Sequence, residues 1–473
     1  MKKYSSLKEI QTLISQKQLT LTDLLAYYFK QINENEHLNA FNEVFFYSAE
    51  VQAKAVQQKI ENGTAGKLAG MVIGIKDNIC YKDHIVTASS KMLDGFVSPY
   101  SATVVQRLLQ EDAVIIGRLN CDEFAMGGSN ETSYFGPAKN AANPELVPGG
   151  SSGGSAVAVQ ADMCLAALGT DTGGSVRQPA AFCGQIGLKP TYGRISRYGV
   201  IAYASSFDQV GPITSSVEDT ALLLEVLAGT DEYDSTVSPL EVPDYPSHLS
   251  ASKKQKIAVL KETIESDALD PEIKAAVLSS IEDLKAKGHT VEYVSFDLLD
   301  YLVPAYYILT TAEASSNLSR YDGVHYGHRN TEAKSLTELY KLSRAEGFGE
   351  EVKKRILLGT FVLSAGYYDA YYQKAQQVRR LIREKLDILF EEYDLILSPV
   401  APTAAFEIGD HVQDALVMYM ADIFTVLPSL SGNPAIALPL GNNKAGLPLS
   451  IQFIAKHFDE AKLLAFSKAF LTN

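Results

Sequence analysis

A chain of 473 residues that is 46% hydrophobic and 21% charged has the composition of a globular protein able to bury a large core. Its formal charge of −14 argues against a surface that grips nucleic acid unaided, because phosphate binding rests on clustered Lys and Arg. Lys2 and Lys3 precede no apolar run of signal-peptide length, and no stretch of about 18 apolar residues occurs, so a cytoplasmic protein with no membrane span is expected.

The first sixty residues carry helical spacing. Leu7, Ile10, Leu13 and Ile14 share one face, Thr22 opens a second apolar-periodic run, and Ser48 precedes a third that stops at Gly63. From Met71 the pattern changes to short apolar runs, Met71–Ile75, Val114–Gly117 and Leu165–Leu168, with helical stretches such as Ala102–Gln110 between them. Buried strands alternating with helices place the chain in the α/β class. After a helix at Val217–Leu227, the Pro-, Ser- and Lys-rich stretch Pro239 to Lys256 reads equally as a linker or a surface loop. It is followed by a strand at Ile257–Leu260, a helix at Pro271–Lys287 and a strand at Thr290–Phe296. Further strands are expected at Leu395–Leu397 and Ala435–Leu438, with a closing helix near Glu460–Phe470. There is no repeat of fixed period.

Four cysteines, Cys80, Cys121, Cys164 and Cys183, show no CxxC and no histidine at metal-site spacing, so they read as small buried hydrophobes and no metal site is expected. Two glycine- and serine-rich segments stand out: Pro148-Gly149-Gly150-Ser151-Ser152-Gly153-Gly154-Ser155 and Gly169-Thr170-Asp171-Thr172-Gly173-Gly174-Ser175. Glycine lets backbone N–H groups approach an anion or oxyanion closely. The apolar flanks argue against flexible linkers, and neither segment continues to the Gly-Lys-Ser/Thr of a nucleotide phosphate loop.

A serine needs a base before it attacks. His84, His289, His325, His328, His411 and His457 read as surface or capping residues. Lys76 ends the apolar run Met71–Ile75, and burial would favour its neutral, proton-accepting form, although a lysine at a strand end also often snorkels to water. Gly150-Ser151-Ser152-Gly153-Gly154 also fits a Gly-x-Ser-x-Gly elbow, which would make Ser152 an esterase nucleophile with a downstream histidine as base.

The stretch from Gly70 to Thr214 resembles the amidase signature family, and the whole chain resembles the branch of it that serves as glutaminase subunits of tRNA-dependent amidotransferases. The matching elements are Gly74-Ile75-Lys76-Asp77-Asn78, Asn120 to Gly127, Pro148 to Ser155, Gly169 to Pro179, Gly187 to Arg194 and Ala204 to Gln209. Glu313 to Leu318 and Arg320 to Val324 match that branch rather than the family at large. The chain departs from the family pattern at Tyr81 to Val86, at Ala141 and at Ser450.

The resemblance implies one large amidase-signature fold, a mixed central β-sheet covered by helices on both faces. It would comprise an N-terminal helical segment (1–65), a signature core (66–232), a substrate-side region (255–390) and a return to the sheet (391–473). It implies a Ser, cis-Ser, Lys triad: Ser175 as nucleophile, Ser151 as relay after a cis peptide, and Lys76 as base. The N–H groups of Thr172, Gly173 and Gly174 would face an oxyanion. Arg355 would fork onto the α-carboxylate of glutamine, Asp422 would accept its ammonium and Tyr306 would add a hydrogen bond. By itself Arg355 reads as a solvated helix face, because it lies in the charge run Glu350 to Arg355. The same resemblance implies a heterotrimer with B and C subunits, no cofactor in this chain, ATP and magnesium used by a partner, and tRNA held there. A free-standing amidase acting on another small amide, and a scaffold that keeps the shape without the chemistry, are the alternatives.

Overall fold

A computed structural model of the chain describes residues 4–250, 253–410 and 421–472. Eleven strands form one mixed sheet in the order β1-β3-β2-β4-β6-β5-β10-β11-β9-β7-β8. They are β1 (Phe41–Val44), β2 (Val72–Lys76), β3 (Val114–Leu119), β4 (Ala166–Asp171), β5 (Ile186–Lys189), β6 (Gln209–Thr214), β7 (Lys256–Leu260), β8 (Thr290–Val294), β9 (Leu395–Pro399), β10 (Ala435–Asn442) and β11 (Pro448–Ala455). β2 runs parallel to β3 and β4 on either side of it, and β7 runs parallel to β8 and β9, while the remaining pairs are antiparallel.

Side-chain alternation along the strands gives the interior two large cores. Ile257, Val259, Leu395, Leu397 and Phe453 face one, together with the N-terminal helices Leu7–Ser15, Leu21–Glu34 and Phe46–Glu61. Ala258, Leu260, Ile396 and Ile454 face the other, against the helices Leu302–Asn317, Glu350–Val362 and Lys374–Glu392. Every position of β2, β3 and β4 is buried, as expected of strands covered on both faces.

Thr20 caps the helix Leu21–Glu34 by accepting from Asp23 N–H, two residues before the start expected at Thr22. Ser48 lies inside its helix and bonds His84 instead of capping. The stretch from Pro239 is no free linker where Arg194 reaches it, since Arg194 donates to the Leu240 and Glu241 carbonyls and to Tyr245. β7, which follows, joins β9 in the same sheet. Ala141 N–H donates to Gln160 Oε1 at 3.0 Å, a bond a proline there would forfeit. Ser450 is buried in β11 and its hydroxyl donates to the Ala181 carbonyl at 3.3 Å.

Candidate active site

Lys76 ends β2, and β4 lies beside it in parallel register, so the carboxyl ends of the two strands open onto one place. Ligand sites of α/β sheets form there. The side chain of Lys76 is completely buried, with Nζ 2.7 Å from Ser151 Oγ, 3.0 Å from Ser152 Oγ and 3.4 Å from the Thr170 carbonyl. The adjacent Asp77 does not neutralise it, because Asp77 faces Arg118 at 2.9 Å and takes further bonds from Asn42, Thr87 and Ser89. Among the described residues Lys76 therefore contacts hydroxyls and a carbonyl but no carboxylate, and burial lowers its pKa from 10.5 to about 8.

Ser151 follows a cis peptide after Gly150. Its loop is pinned on two sides: Gly150 N–H donates to Gln178 Oε1 at 2.8 Å, and the Ser151 carbonyl accepts from Asp122 N–H at 3.1 Å. Gln178 in turn donates to the Gly128 carbonyl at 2.9 Å. Asp122 is itself buried and accepts from the N–H groups of Asn130 and Thr132, and a Cβ on Gly150 would meet its carboxylate at 2.2 Å. Past Ser152 the chain enters the helix Gly153–Gln160, buried through Val159, whose small residues allow this close packing.

Ser175 sits before the helix Arg177–Phe182 and is 8% exposed. Its carbonyl accepts from Ser152 N–H at 3.1 Å, which stitches the two glycine-rich loops together beside Ser151. Among the described residues the Ser175 hydroxyl has no hydrogen-bond partner, so the Lys76–Ser151 contact is formed and the link onward to Ser175 is open. Such links commonly tighten only when substrate is bound. Behind the loop Asp171 and Arg177 form a wholly buried two-point pair, at 2.9 and 3.0 Å. Asp171 also takes the N–H groups of Gly174, at 2.9 Å, and Val176.

That use of Gly174 N–H differs from the expected oxyanion donor: a fully buried carboxylate needs donors from every side, and this one is claimed by Asp171. The N–H groups of Thr172, Gly173 and Ser175 have no partner among the described residues, so Ser175 N–H joins the first two as a candidate. The Thr172 hydroxyl donates to Asp208, whose burial raises its pKa to about 6. Gly173 has no room for a side chain, since a Cβ would lie 2.5 Å from the Tyr306 hydroxyl.

Tyr306 and Arg355 are both buried and reach the site from the second core. Arg355 is not part of a solvated face: Val352, Arg355, Gly359 and Val362 form the buried side of their helix, and the charges of the run lie on the other sides. Its guanidinium donates to Glu351 at 2.8 Å and Tyr203 at 2.9 Å, between the rings of Tyr203 and Tyr307. Asp422 accepts from Tyr307 at 3.0 Å, and burial raises its pKa to about 7. Tyr203, Tyr307 and Glu351 were invisible as site residues because their roles lie in holding Arg355 and Asp422.

Ser152 does not resemble an elbow nucleophile, because it is fully buried and bonded to Lys76 and Thr170, with no histidine on it among the described residues. The other histidines named above are engaged elsewhere, with Ser48, Gln255, Asp322, Glu346 and Ser431, and His411 lies outside the described residues. The four cysteines are buried and form no disulfide. No helix among the described residues is long and apolar enough to cross a membrane.

Curated relatives match nearly end to end. The chain is 49% identical over 459 residues to the A subunit of glutamyl-tRNA(Gln) amidotransferase from Koribacter versatilis, covering 96% of this chain and 95% of that protein. It is 48% identical over 468 residues to the protein of the same name from Brevibacillus brevis, covering 98% and 95%. Among solved structures, the Thermotoga maritima protein of that name has 38% identity and a TM-score of 0.80, covering 96% of this chain and 93% of that one. A peptide amidase from Stenotrophomonas maltophilia reaches a TM-score of 0.84 at only 27% identity, covering 99% and 97%. Backbone likeness is thus shared across different amidases, and sequence identity separates them. A family model described as Amidase matches residues 23–464, and the chain belongs to the amidase family.

Proposed function

We propose that this chain is the glutaminase subunit of a tRNA-dependent amidotransferase, releasing ammonia from glutamine for conversion of Glu-tRNA(Gln) to Gln-tRNA(Gln). The observation that carries the chemistry is the buried Lys76 amine lying 2.7 Å from Ser151 Oγ, where burial outweighs the pull of the nearby carboxylates on its charge. The near full-length identity to proteins of that name supports the substrate and the setting.

In this reading Ser175 Oγ attacks the glutamine carboxamide as its proton moves through Ser151 to neutral Lys76. The developing oxyanion is met by the N–H groups of Thr172, Gly173 and Ser175, an effect worth about 3–4 kcal/mol for one donor in comparable enzymes. Lys76 then returns the proton through Ser151 to the departing nitrogen, which leaves as ammonia. Water repeats the sequence on the acyl-Ser175 ester and frees glutamate. Arg355 pairs with the substrate carboxylate, Asp422 with its ammonium, and Tyr306 lines the wall against Gly173. ATP and magnesium would act in one partner, the B subunit, which holds tRNA, while the other partner, the C subunit, braces the pair in the cytoplasm.

Ser175→Ala in the assembled enzyme tests this directly. Glutamine-dependent product should vanish while product formed from supplied ammonia persists; equal loss of both would remove Ser175 from the role of nucleophile.

A further inference from the structure

On the far side of the Ala204 to Gln209 loop lies a cleft of about 540 Å³ that the proposed chemistry does not use. It is lined by Arg379, Arg380, Arg383, His457, Tyr192 and Thr191 among others, a basic concentration on a chain of net charge −14. Its volume falls within the range of small-ligand sites.

Arg379 is the telling residue. Its guanidinium donates to the Leu430 carbonyl at 2.9 Å, to Ser206 Oγ at 2.8 Å and to the Ser206 carbonyl at 2.8 Å, and it stacks 4.0 Å over Phe207. These partners fix it, yet all are neutral, and among the described residues no carboxylate forms an ion pair with it. Glu313 is one step removed, accepting from the Ser206 hydroxyl at 2.5 Å, so its charge acts on Arg379 only across that serine. Three of the five N–H groups of Arg379 are thus occupied, which leaves two for a ligand. A partly buried cation held by neutral groups at the wall of a cleft calls for an anion.

Arg380 and Arg383 stand at the rim, 80% and 60% exposed, with Glu384 at 2.7 Å and Asp387 at 3.9 Å as helical neighbours. Exposed pairs of this kind are weak, so both arginines can turn to a stronger anion. His457 Nε2 faces the Ser431 carbonyl at 3.0 Å and therefore carries its proton there, and Asp387 lies 3.9 Å from Nδ1. Burial keeps this imidazole below its usual pKa, so it is a neutral wall and not a fourth cation.

We propose that this cleft binds a phosphate-bearing ligand, Arg379 holding the phosphate at depth and Arg380 and Arg383 closing on it from the rim. Arginine forks match phosphate oxygens in two-point geometry. The cleft lies one ring behind the substrate wall, because Phe207 meets Tyr306 edge-on at 5.7 Å. The proposal does not depend on the roles assigned to Lys76, Ser151 and Ser175.

Calorimetric titration of the full chain with inorganic phosphate, adenosine monophosphate and a short RNA without terminal phosphate tests it. Saturable binding of phosphate or the mononucleotide assigns a small ligand, and binding of the RNA alone assigns a backbone phosphodiester. In either case Arg380→Glu combined with Arg383→Glu should weaken binding at least about tenfold, and the contact should weaken with added salt. These two positions are exposed, so the variant keeps its fold, checked by unchanged glutamine hydrolysis. Absence of binding by all three probes, or binding untouched by the double charge reversal, overturns the proposal.

Discussion

Replacing Lys76 by Met removes the amine at the centre of the site while nearly keeping its volume. Burial lowers the Lys76 pKa from 10.5 to about 8, and at ~1.4 kcal/mol per pH unit the protonated form is penalised in the folded state by about 3 kcal/mol. The folded protein binds this proton less tightly than the unfolded chain does. Between about pH 8 and 10.5 the unfolded state therefore holds more protons, and the wild type gains stability as pH rises. Below that window the full penalty is present, and above it the penalty is gone. The variant has no such proton. It does lose the contacts to Ser151 and Ser152, and a stranded buried hydroxyl costs about 1–3 kcal/mol, but that cost does not vary with pH. Urea unfolding of both proteins at steps from pH 7 to pH 10 cancels every other titration in the difference. We predict that the wild type gains on Lys76→Met by about 2–3 kcal/mol across that range. A flat difference would mean that Lys76 keeps an ordinary pKa in the folded protein, and the reasoning from burial fails.

Arg177→Leu leaves the Asp171 carboxylate buried without its cation, and urea unfolding should show a loss of about 3–5 kcal/mol, with Asp171→Asn in the same background restoring part of it. Arg355→Lys keeps the charge but loses the fork held between Glu351 and Tyr203, so KM for glutamine should rise about 10- to 100-fold with a smaller effect on kcat; an unchanged KM would remove Arg355 from the substrate site.

The parts of the architecture that declared themselves in sequence are those with an unbroken local signal. β2, β3 and β4 are buried on both faces and read as short apolar runs, and the helix Val217–Leu227 has its expected bounds. β5, β6 and β11 carry no such run, because Gly187 and Gly211 interrupt the first two and Ser450 and Gln452 place polar residues inside the third. Those polar groups are satisfied only by residues distant in sequence: Gln452 donates to Ser398, Pro399 and Phe424 and accepts from Arg177.

The site shows the same division. Lys76 and the two glycine- and serine-rich loops are legible in the residues themselves, and the family resemblance is what picks Ser151 and Ser175 out of the hydroxyls there, whereas the Asp171–Arg177 pair and the Gln178 clasp on Gly150 are visible only when the two loops meet. Arg355 looked like one more charge on a solvated helix, and only the packing of Val352, Gly359 and Val362 beside it turns it inward. The capture of Gly174 N–H by Asp171 depends on where a buried carboxylate lands, which no local pattern encodes.

The decisive measurement is the pH dependence of Ser175 acylation by a slowly turned-over glutamine analogue, followed in a single turnover. With neutral Lys76 as the acceptor, the wild-type rate climbs as pH passes about 8 and levels off above it. In Lys76→Ala the rate falls by about 10²–10⁴-fold and that ionisation disappears. A rise near the same pH that survives the loss of Lys76 would assign the proton to another group and contradict the account.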